Sequence, residues 1–166
     1  MINRRELLRT AVLAALAGGT LPAWGTFGEA ESFQLTLGQE GDSGQRLEIR
    51  GRVLDTAGMP IEGAEVRVRH ADASGIYRPS NIGTMRTDAS GRFILQTRMP
   101  GTYGRPRHIH THVFHDAYHP VYTEILFKGD PILGDADPPN AILLENTELQ
   151  GQQMLLGSFD VVMERL

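Results

Sequence analysis

The segment Leu47-Glu48-Ile49-Arg50-Gly51-Arg52-Val53-Leu54 decides the fold class, because apolar and polar residues alternate along it. A period of two places one set of side chains on a buried sheet face and the other set towards solvent. The residues that follow, Asp55-Thr56-Ala57-Gly58-Met59-Pro60, are rich in turn-forming types. A half-buried strand that ends in a tight turn is therefore predicted.

Further strand-like segments follow along the chain, and turns rich in Gly or Pro separate them. The predicted strands after the first are residues 64–69, 92–97, 107–114, 122–127 and 158–164, with turns at 87–91 and 100–101. Residues 128–157 are less regular, and residues 135–140 are predicted to form a loop. Short strands at this spacing, without a helical period, predict an all-β sandwich with irregular loops.

The composition is that of an ordinary globular chain without a basic surface. Of its 166 residues, 40% are hydrophobic and 22% are charged, and the formal net charge is -4. Cysteine is absent, so disulfides, thiolate metal sites and cysteine nucleophiles are excluded. No basic stripe occurs outside the first ten residues, so nucleic acid is not an expected partner. One domain is predicted over residues 46–166, after a linker or arm at residues 31–45.

Residues 1–30 are predicted to be a signal peptide. Arg4, Arg5 and Arg9 form a positive start, and the apolar run at residues 11–17 is too short to span a membrane. The paired arginines resemble a twin-arginine signal, which exports folded proteins, although a general secretory signal stays an alternative. The protein is therefore expected to be exported, periplasmic or extracellular, with membrane contact only during export. The cleavage site is not fixed, and an uncleaved anchor stays open.

Five of the six histidines lie between positions 108 and 119. His108, His110 and His112 share one face of the predicted strand, because strand side chains alternate. Imidazoles grouped on one face are typical of a metal site, although histidines satisfied on a polar strand face stay an alternative. Without cysteine, the ligands must be nitrogen and oxygen, and an all-histidine site favours zinc or copper. Tyr77 and Tyr103, at turn-like positions, are the oxygen candidates.

Several segments together carry a family resemblance. They are, in chain order, residues 51–55, 58–66, 70–77, 87–93, 100–103, 105–110 and 127–131. The string Arg105-Pro106-Arg107-His108-Ile109-His110, placed after the two tyrosines, is the most specific of them. Over about residues 46–135 the chain resembles the intradiol ring-cleavage dioxygenases, the family of the catechol and protocatechuate 3,4-dioxygenases. The resemblance implies a prealbumin-like β-sandwich enzyme that cleaves a catechol-type ring with O2.

The resemblance also implies a ligand set and a mechanism. Iron(III) would be bound by two tyrosinates and two histidines, here Tyr77, Tyr103, His108 and His110. Phenolate is a hard anionic oxygen donor that suits a ferric ion, and a bound cation can deprotonate a tyrosine. A catechol substrate would displace Tyr103, whose phenolate helps to take up a substrate proton, and Arg105 would stabilise negative charge on the ring. The product would be a muconate-type diacid.

The chain departs from the family pattern around this predicted site. Glu124 stands where the family usually has a glutamine. It could pair with Arg105, act as a base, favour a substrate with a cationic or hydrogen-bonding substituent, or lie outside the site. Only Gly104 separates Tyr103 from Arg105, which predicts an open pocket. His112 could compete as a ligand or lie behind the ligands. Because the family often forms dimers or larger assemblies, a homo-oligomer stays open.

Two other functions stay open from the residues. A non-catalytic exported β-sandwich module explains residues 46–97 equally well, but it does not explain the order of the tyrosines and histidines. A zinc or copper site on His108, His110 and His112 explains the histidine strand but leaves the tyrosines and Arg105 without a role. Simple catechols, hydroxyquinol, protocatechuate and larger plant-derived catechols all stay open as substrates.

Overall fold

The computed structural model describes residues 32–166, and the predicted signal peptide lies outside these residues. Within this range the chain forms strands joined by turns, so the predicted all-β fold is confirmed. No helix in residues 32–166 is long and apolar enough to cross a membrane. The strands are β1 (Gln34–Thr36), β2 (Arg46–Asp55), β3 (Glu65–Ala71), β4 (Tyr77–Arg86), β5 (Arg92–Arg98), β6 (His108–His115), β7 (Tyr118–Phe127), β8 (Ala141–Ile142), β9 (Leu144–Leu149), β10 (Gln152–Ser158) and β11 (Val161–Met163).

The strands form two sheets that enclose one core. In the first sheet the order is β1-β5-β2-β10-β9. Strand β10 pairs with residues 47–50 of β2, and β11 pairs with residues 53–55 of the same strand. In the second sheet the order is β4-β3-β6-β7-β8. The central strand of the first sheet, β2, is antiparallel to β5 and parallel to both β10 and β11. The central strand of the second sheet, β6, is antiparallel to both of its neighbours.

The alternation in β2 has the predicted effect on burial. Leu47, Ile49 and Val53 are at most 1% exposed and belong to the core cluster shared by both sheets. Gly51 continues this inward series without a side chain. A Cβ atom at Gly51 would lie 2.1 Å from Cζ of Phe93, so the phenylalanine ring occupies the space that a larger residue would need.

Some strands were not predicted. The segment predicted as a linker or arm contains β1, which pairs in parallel with β5 and adds an edge to the first sheet. The irregular range 128–157 contains β8, β9 and most of β10. Tyr77, expected in a turn, is the first residue of β4, an edge strand. Pro79 and Gly83 are residue types that weaken the sequence signal of a strand. Edge strands need less alternation because fewer of their side chains are buried.

A buried histidine joins the two sheets beside the site described below. His70 on β3 is 1% exposed, and burial lowers its pKa, so the ring is neutral. Its Nδ1 donates to the carbonyl of Ala71 at 2.7 Å, because a carbonyl can only accept. Its Nε2 therefore accepts from the hydroxyl of Thr97 on β5, also at 2.7 Å. This hydrogen bond crosses from the second sheet to the first.

Removing the donor of this hydrogen bond should destabilise the fold. We expect Thr97→Val to lower the free energy of unfolding by about 1–3 kcal/mol, because Nε2 of buried His70 loses its partner. Urea denaturation measures the change. Thr36→Val is the matched control, since the Thr36 hydroxyl is exposed and should contribute about 0.5 kcal/mol or less. Equal stability of the two variants would show that the bond between the sheets contributes nothing.

Candidate functional site

One face of strand β6 packs in the core, and the other face carries residues of the candidate site. Ile109, Thr111 and Val113 are fully buried between the sheets. The alternate residues His108 and His110 therefore point to the outer face of the second sheet, as the spacing predicted. Because its inner side chains are packed in the core, β6 holds these imidazoles on a rigid support.

The first tyrosine follows a turn organised by one carboxylate. Asp72 accepts hydrogen bonds from the hydroxyl of Ser74 at 2.6 Å, from the backbone N–H of Ser74 at 2.9 Å and from that of Ile76 at 3.0 Å. Arg78 also donates to this carboxylate. These bonds, led by that of the Ser74 hydroxyl, lower the pKa of Asp72. The turn ends where β4 begins, and its geometry therefore sets the position of Tyr77.

The second tyrosine is brought to the first by a close backbone contact between two segments, 72–76 and 100–103. The N–H of Gly101 donates to the carbonyl of Asp72 at 2.8 Å. A Cβ atom at Gly101 would lie 2.4 Å from the carbonyl oxygen of Ala73. A Cβ atom at Gly75 would lie 2.5 Å from that of Thr102, and Gly75 also has a positive φ of 83°. Glycine at both positions permits the contact.

The four predicted ligand residues converge as a result. The hydroxyl oxygens of Tyr77 and Tyr103 are 2.8 Å apart. The Tyr103 oxygen is 2.9 Å from Nε2 of His108. The Tyr77 oxygen is 3.0 Å from Nε2 of His110 and 3.4 Å from Nε2 of His108. Two phenol oxygens and two imidazole nitrogens, from β4, the 100–103 segment and β6, thus face a single point.

This spacing fits one metal ion. Donor atoms bound at about 2.0–2.2 Å to one ion lie roughly 2.8–3.8 Å apart at ordinary coordination angles. Both histidines also have the nitrogen remote from the tyrosines engaged: Nδ1 of His108 donates to the carbonyl of Pro106 at 2.7 Å, and Nδ1 of His110 lies 3.2 Å from Glu124. Such partners are typical of metal-binding histidines, since they leave Nε2 to bind. The assignment of these residues as ligands stays a prediction.

The protonation of two of these residues follows from their surroundings. Burial, followed by the nearby His108, lowers the pKa of His110 to about 4, so its imidazole is neutral at pH 7 and offers a lone pair. Burial, followed by the hydrogen bond to Tyr103, raises the pKa of Tyr77 above that of free tyrosine. Without a cation Tyr77 therefore stays protonated, and a metal must displace that proton to bind the phenolate.

Arg105 and Glu124 form an ion pair at the rim of this cluster. Nη2 of Arg105 donates to both carboxylate oxygens, at 3.1 and 2.9 Å, and half of the arginine side chain is exposed. The hydrogen bond that Arg105 donates to Glu124 raises the pKa of Arg105. Glu124 therefore reaches the site. In the residues that the structure describes, His108, His110 and Glu124 also have ligand atoms within 4.8 Å of one another, which is a second possible metal group.

His112 lies outside this convergence. Its ring packs against that of Tyr122 with 4.6 Å between centroids, one pair of residues farther along the outer face from His110. Burial lowers the pKa of His112, so the ring is neutral. Among the residues that the structure describes, the group that could share a metal consists of His108, His110 and Glu124, and His112 does not belong to it.

The sequence did not indicate the residues that support the site. Asp72 was not singled out, although an Asp two residues before Ser74 and three before Gly75 is typical of a hydrogen-bonded turn. Asn140 was assigned to a loop, and its amide donates to the backbone carbonyl of Glu124 at 2.6 Å. Asp130 is 4% exposed and accepts from both the backbone and the guanidinium of Arg107, which secures the segment before β6. The contacts of Asn140 and Asp130 join residues 16 and 23 positions apart, which local sequence patterns do not show.

Comparison with known proteins places the chain among dioxygenases. A family model described as "Dioxygenase" matches residues 20–163. The protocatechuate 3,4-dioxygenase beta chain of Burkholderia cepacia is 36% identical, over 54% of this chain and 48% of that protein. A chlorocatechol 1,2-dioxygenase of Rhodococcus opacus is 26% identical, over 74% of this chain and 61% of that protein. The chain therefore spans about half the length of the curated relatives it matches.

Solved structures of similar proteins have the same fold. The crystal structure of 3-chlorocatechol 1,2-dioxygenase from Rhodococcus opacus 1CP matches 90% of this chain and 74% of that chain, with a TM-score of 0.75 and 22% identity. The dioxygenase domain of a carbohydrate-binding fusion protein from Streptomyces sp. SirexAA-E is 28% identical with a TM-score of 0.67. That match covers 87% of this chain and 97% of the Streptomyces domain.

The contact at Gly101 should be needed for metal binding. We expect Gly101→Ala to lower the affinity for iron(III) at least about tenfold, because the added Cβ pushes the segment that carries Tyr103 away from Tyr77. Iron titration followed by visible absorption measures the affinity. Thr102→Ala, which removes an exposed side chain from the same segment, should bind iron as the unaltered protein does. If the two variants bind iron equally, the backbone contact does not position the ligands.

Proposed function

Because the chain belongs to the intradiol ring-cleavage dioxygenase family, we propose that it is an iron(III)-dependent enzyme that cleaves a catechol-type ring with O2. The bond broken is the one between the two hydroxylated carbons, and both oxygen atoms enter the product, a muconate-type diacid. The observation that carries this proposal is the convergence of two phenol oxygens and two imidazole nitrogens at separations of 2.8–3.4 Å.

Tyr77, Tyr103, His108 and His110 would hold the iron. When bound, iron(III) would supply a hard Lewis acid that makes a catechol ring reactive towards O2. The four side chains supply two anionic and two neutral donors, a set that favours the ferric state because phenolate charge offsets that of the ion. His108 is 3% exposed and Tyr103 is 41% exposed, so the tyrosine is the ligand more accessible to an incoming substrate.

Tyr103 and Arg105 act on the substrate in this proposal. If a catechol took the position of Tyr103, the freed phenol oxygen would lie beside the substrate hydroxyls, where it could hold a proton taken from them. Arg105 stands two residues later at the rim, with its guanidinium fixed by Glu124. A fixed positive charge there stabilises negative charge that develops on the ring during oxygen attack.

The competing functions are supported less well. In a zinc or copper site on His108, His110 and His112, the third ring would have to leave Tyr122 and turn towards the other two. A non-catalytic module would have no use for two tyrosines and two histidines whose polar atoms face one point. The identity of the catechol stays open, and the relatives named for protocatechuate, chlorocatechol and catechol provide the first substrates to try.

Visible absorption of the iron-loaded protein tests the proposed function. We expect a broad tyrosinate-to-iron(III) band that moves to longer wavelength when one catechol is added without O2. Admitting O2 should then consume one O2 for each diacid formed. A protein that stays colourless with iron and with every catechol, or that binds only zinc, would refute the proposal.

A matched pair of tyrosine variants assigns the band to the site. Tyr77→Phe removes a phenol oxygen from the convergence and should weaken the absorption band and the affinity for iron. Tyr122→Phe removes the same group from a tyrosine that is 63% exposed on the same sheet face and should change neither. An unchanged band in Tyr77→Phe would remove Tyr77 from the ligand set.

We also propose that the enzyme is exported by a twin-arginine signal, with membrane contact only during that step. The support is the sequence of residues 1–30, with Arg4 and Arg5 ahead of a short apolar run. Replacing both arginines with lysine keeps the positive charge and should retain the protein in the cytoplasm, as measured by cell fractionation. Lysine at Arg9 alone is the matched control and should leave export unchanged. Normal export of the double variant would rule out this signal.

A further inference from the structure

Glu124 contacts two members of the site from one carboxylate. It lies on β7 directly opposite His110 on β6, and this strand pairing fixes the two side chains next to each other. Oε1 lies 3.2 Å from Nδ1 of His110. The same carboxylate accepts two hydrogen bonds from Nη2 of Arg105, at 2.9 and 3.1 Å. One negative group therefore links a predicted iron ligand to the residue predicted to stabilise the substrate.

The carboxylate lies behind the histidine as seen from the converging donors. Nε2 of His110 faces the hydroxyl of Tyr77, whereas Nδ1, on the other edge of the ring, faces Glu124. An ion bound at Nε2 with the two tyrosines would therefore contact His110 directly and Glu124 only through the ring. A carboxylate that accepts the Nδ1 proton makes an imidazole a stronger donor at Nε2 and fixes its orientation.

We propose that Glu124 is a positioning residue that strengthens the binding of iron(III) through His110 and holds Arg105 over the substrate position. This inference rests on the proposed function, in which His110 binds iron through Nε2. The negative charge of Glu124 stabilises iron(III) more than iron(II), because the attraction grows with the charge of the ion. The ion pair also takes away part of the freedom of the half-exposed Arg105 side chain, so the guanidinium is in place before substrate arrives.

Glu124→Gln is a suitable variant because it keeps the shape of the side chain and removes the charge. The hydrogen bond from Asn140 goes to the backbone carbonyl of Glu124, so the strand keeps this support in the variant. The side chain is 26% exposed, which allows the amide to be solvated without disturbing the core. Glu62→Gln, an exposed position in the turn before β3, makes the same chemical change outside the site and is the matched control.

The readouts are the affinity for iron(III), the affinity for iron(II) and the midpoint potential of the bound iron, all without substrate. We expect Glu124→Gln to lower the affinity for iron(III) about 10- to 100-fold, with a smaller effect on iron(II). Each tenfold change in the ratio of the two affinities corresponds to a rise in potential of about 59 mV. The tyrosinate-to-iron(III) band should remain but shift in wavelength, and Glu62→Gln should match the unaltered protein in every measurement.

Three outcomes would overturn the inference, and they can be told apart. If Glu124→Gln and Glu62→Gln have the same affinities, potential and band, Glu124 does not act through His110, and the proposed function is untouched. If Glu124→Gln abolishes iron binding while Tyr77→Phe does not affect it, Glu124 is itself a ligand, together with His108 and His110. If the unaltered protein binds iron without any tyrosinate band, the proposed function fails and this inference fails with it.

Discussion

The candidate site depends on one backbone contact, between the turn that precedes Tyr77 and the segment that carries Tyr103. Gly75 and Gly101 permit this contact, because any side chain at either position would meet a carbonyl oxygen within 2.5 Å. Asp72 holds one side of it through its own carbonyl and carboxylate. Glycines that look like ordinary turn residues therefore determine whether two phenol oxygens can meet. The proposed metal binding therefore depends first on how closely these two backbone segments pack, because this packing sets where the tyrosine side chains lie.

The remaining donors have a different kind of support. His108 and His110 lie on a central strand whose opposite face is fully buried, so packing in the core holds them in place. The tyrosines come from loops and an edge strand, which move more easily than a central strand. This difference in support suits the proposed site, in which Tyr103 is expected to dissociate from the iron and the histidines to remain bound. Glu124 couples the two halves, since it contacts a histidine on the strand and the arginine that follows Tyr103.

Local sequence patterns predicted the half-buried strands and the site residues to different extents. The strands β2, β3, β5, β6 and β7 were predicted because their alternating residues face the core and solvent in turn. Edge strands such as β1, β4 and β9 were missed, because their exposed residues carry no such alternation. The family resemblance supplied the four converging residues. The position of Glu124 opposite His110 depends on the register between β6 and β7. The residue pattern of either strand alone does not specify this register.

The order of strands in the first sheet constrains how the chain can assemble. Strand β2 is made early, yet two of its partners, β10 and β11, lie about a hundred residues later in sequence. Until residues 152–163 have been synthesised, one side of the central strand lacks its partners, and such unpaired strands promote aggregation. Pairings this distant also close slowly, because a long loop must lose its freedom first. We therefore expect the first sheet to be completed only after residue 163 has been synthesised, as one of the last steps of folding.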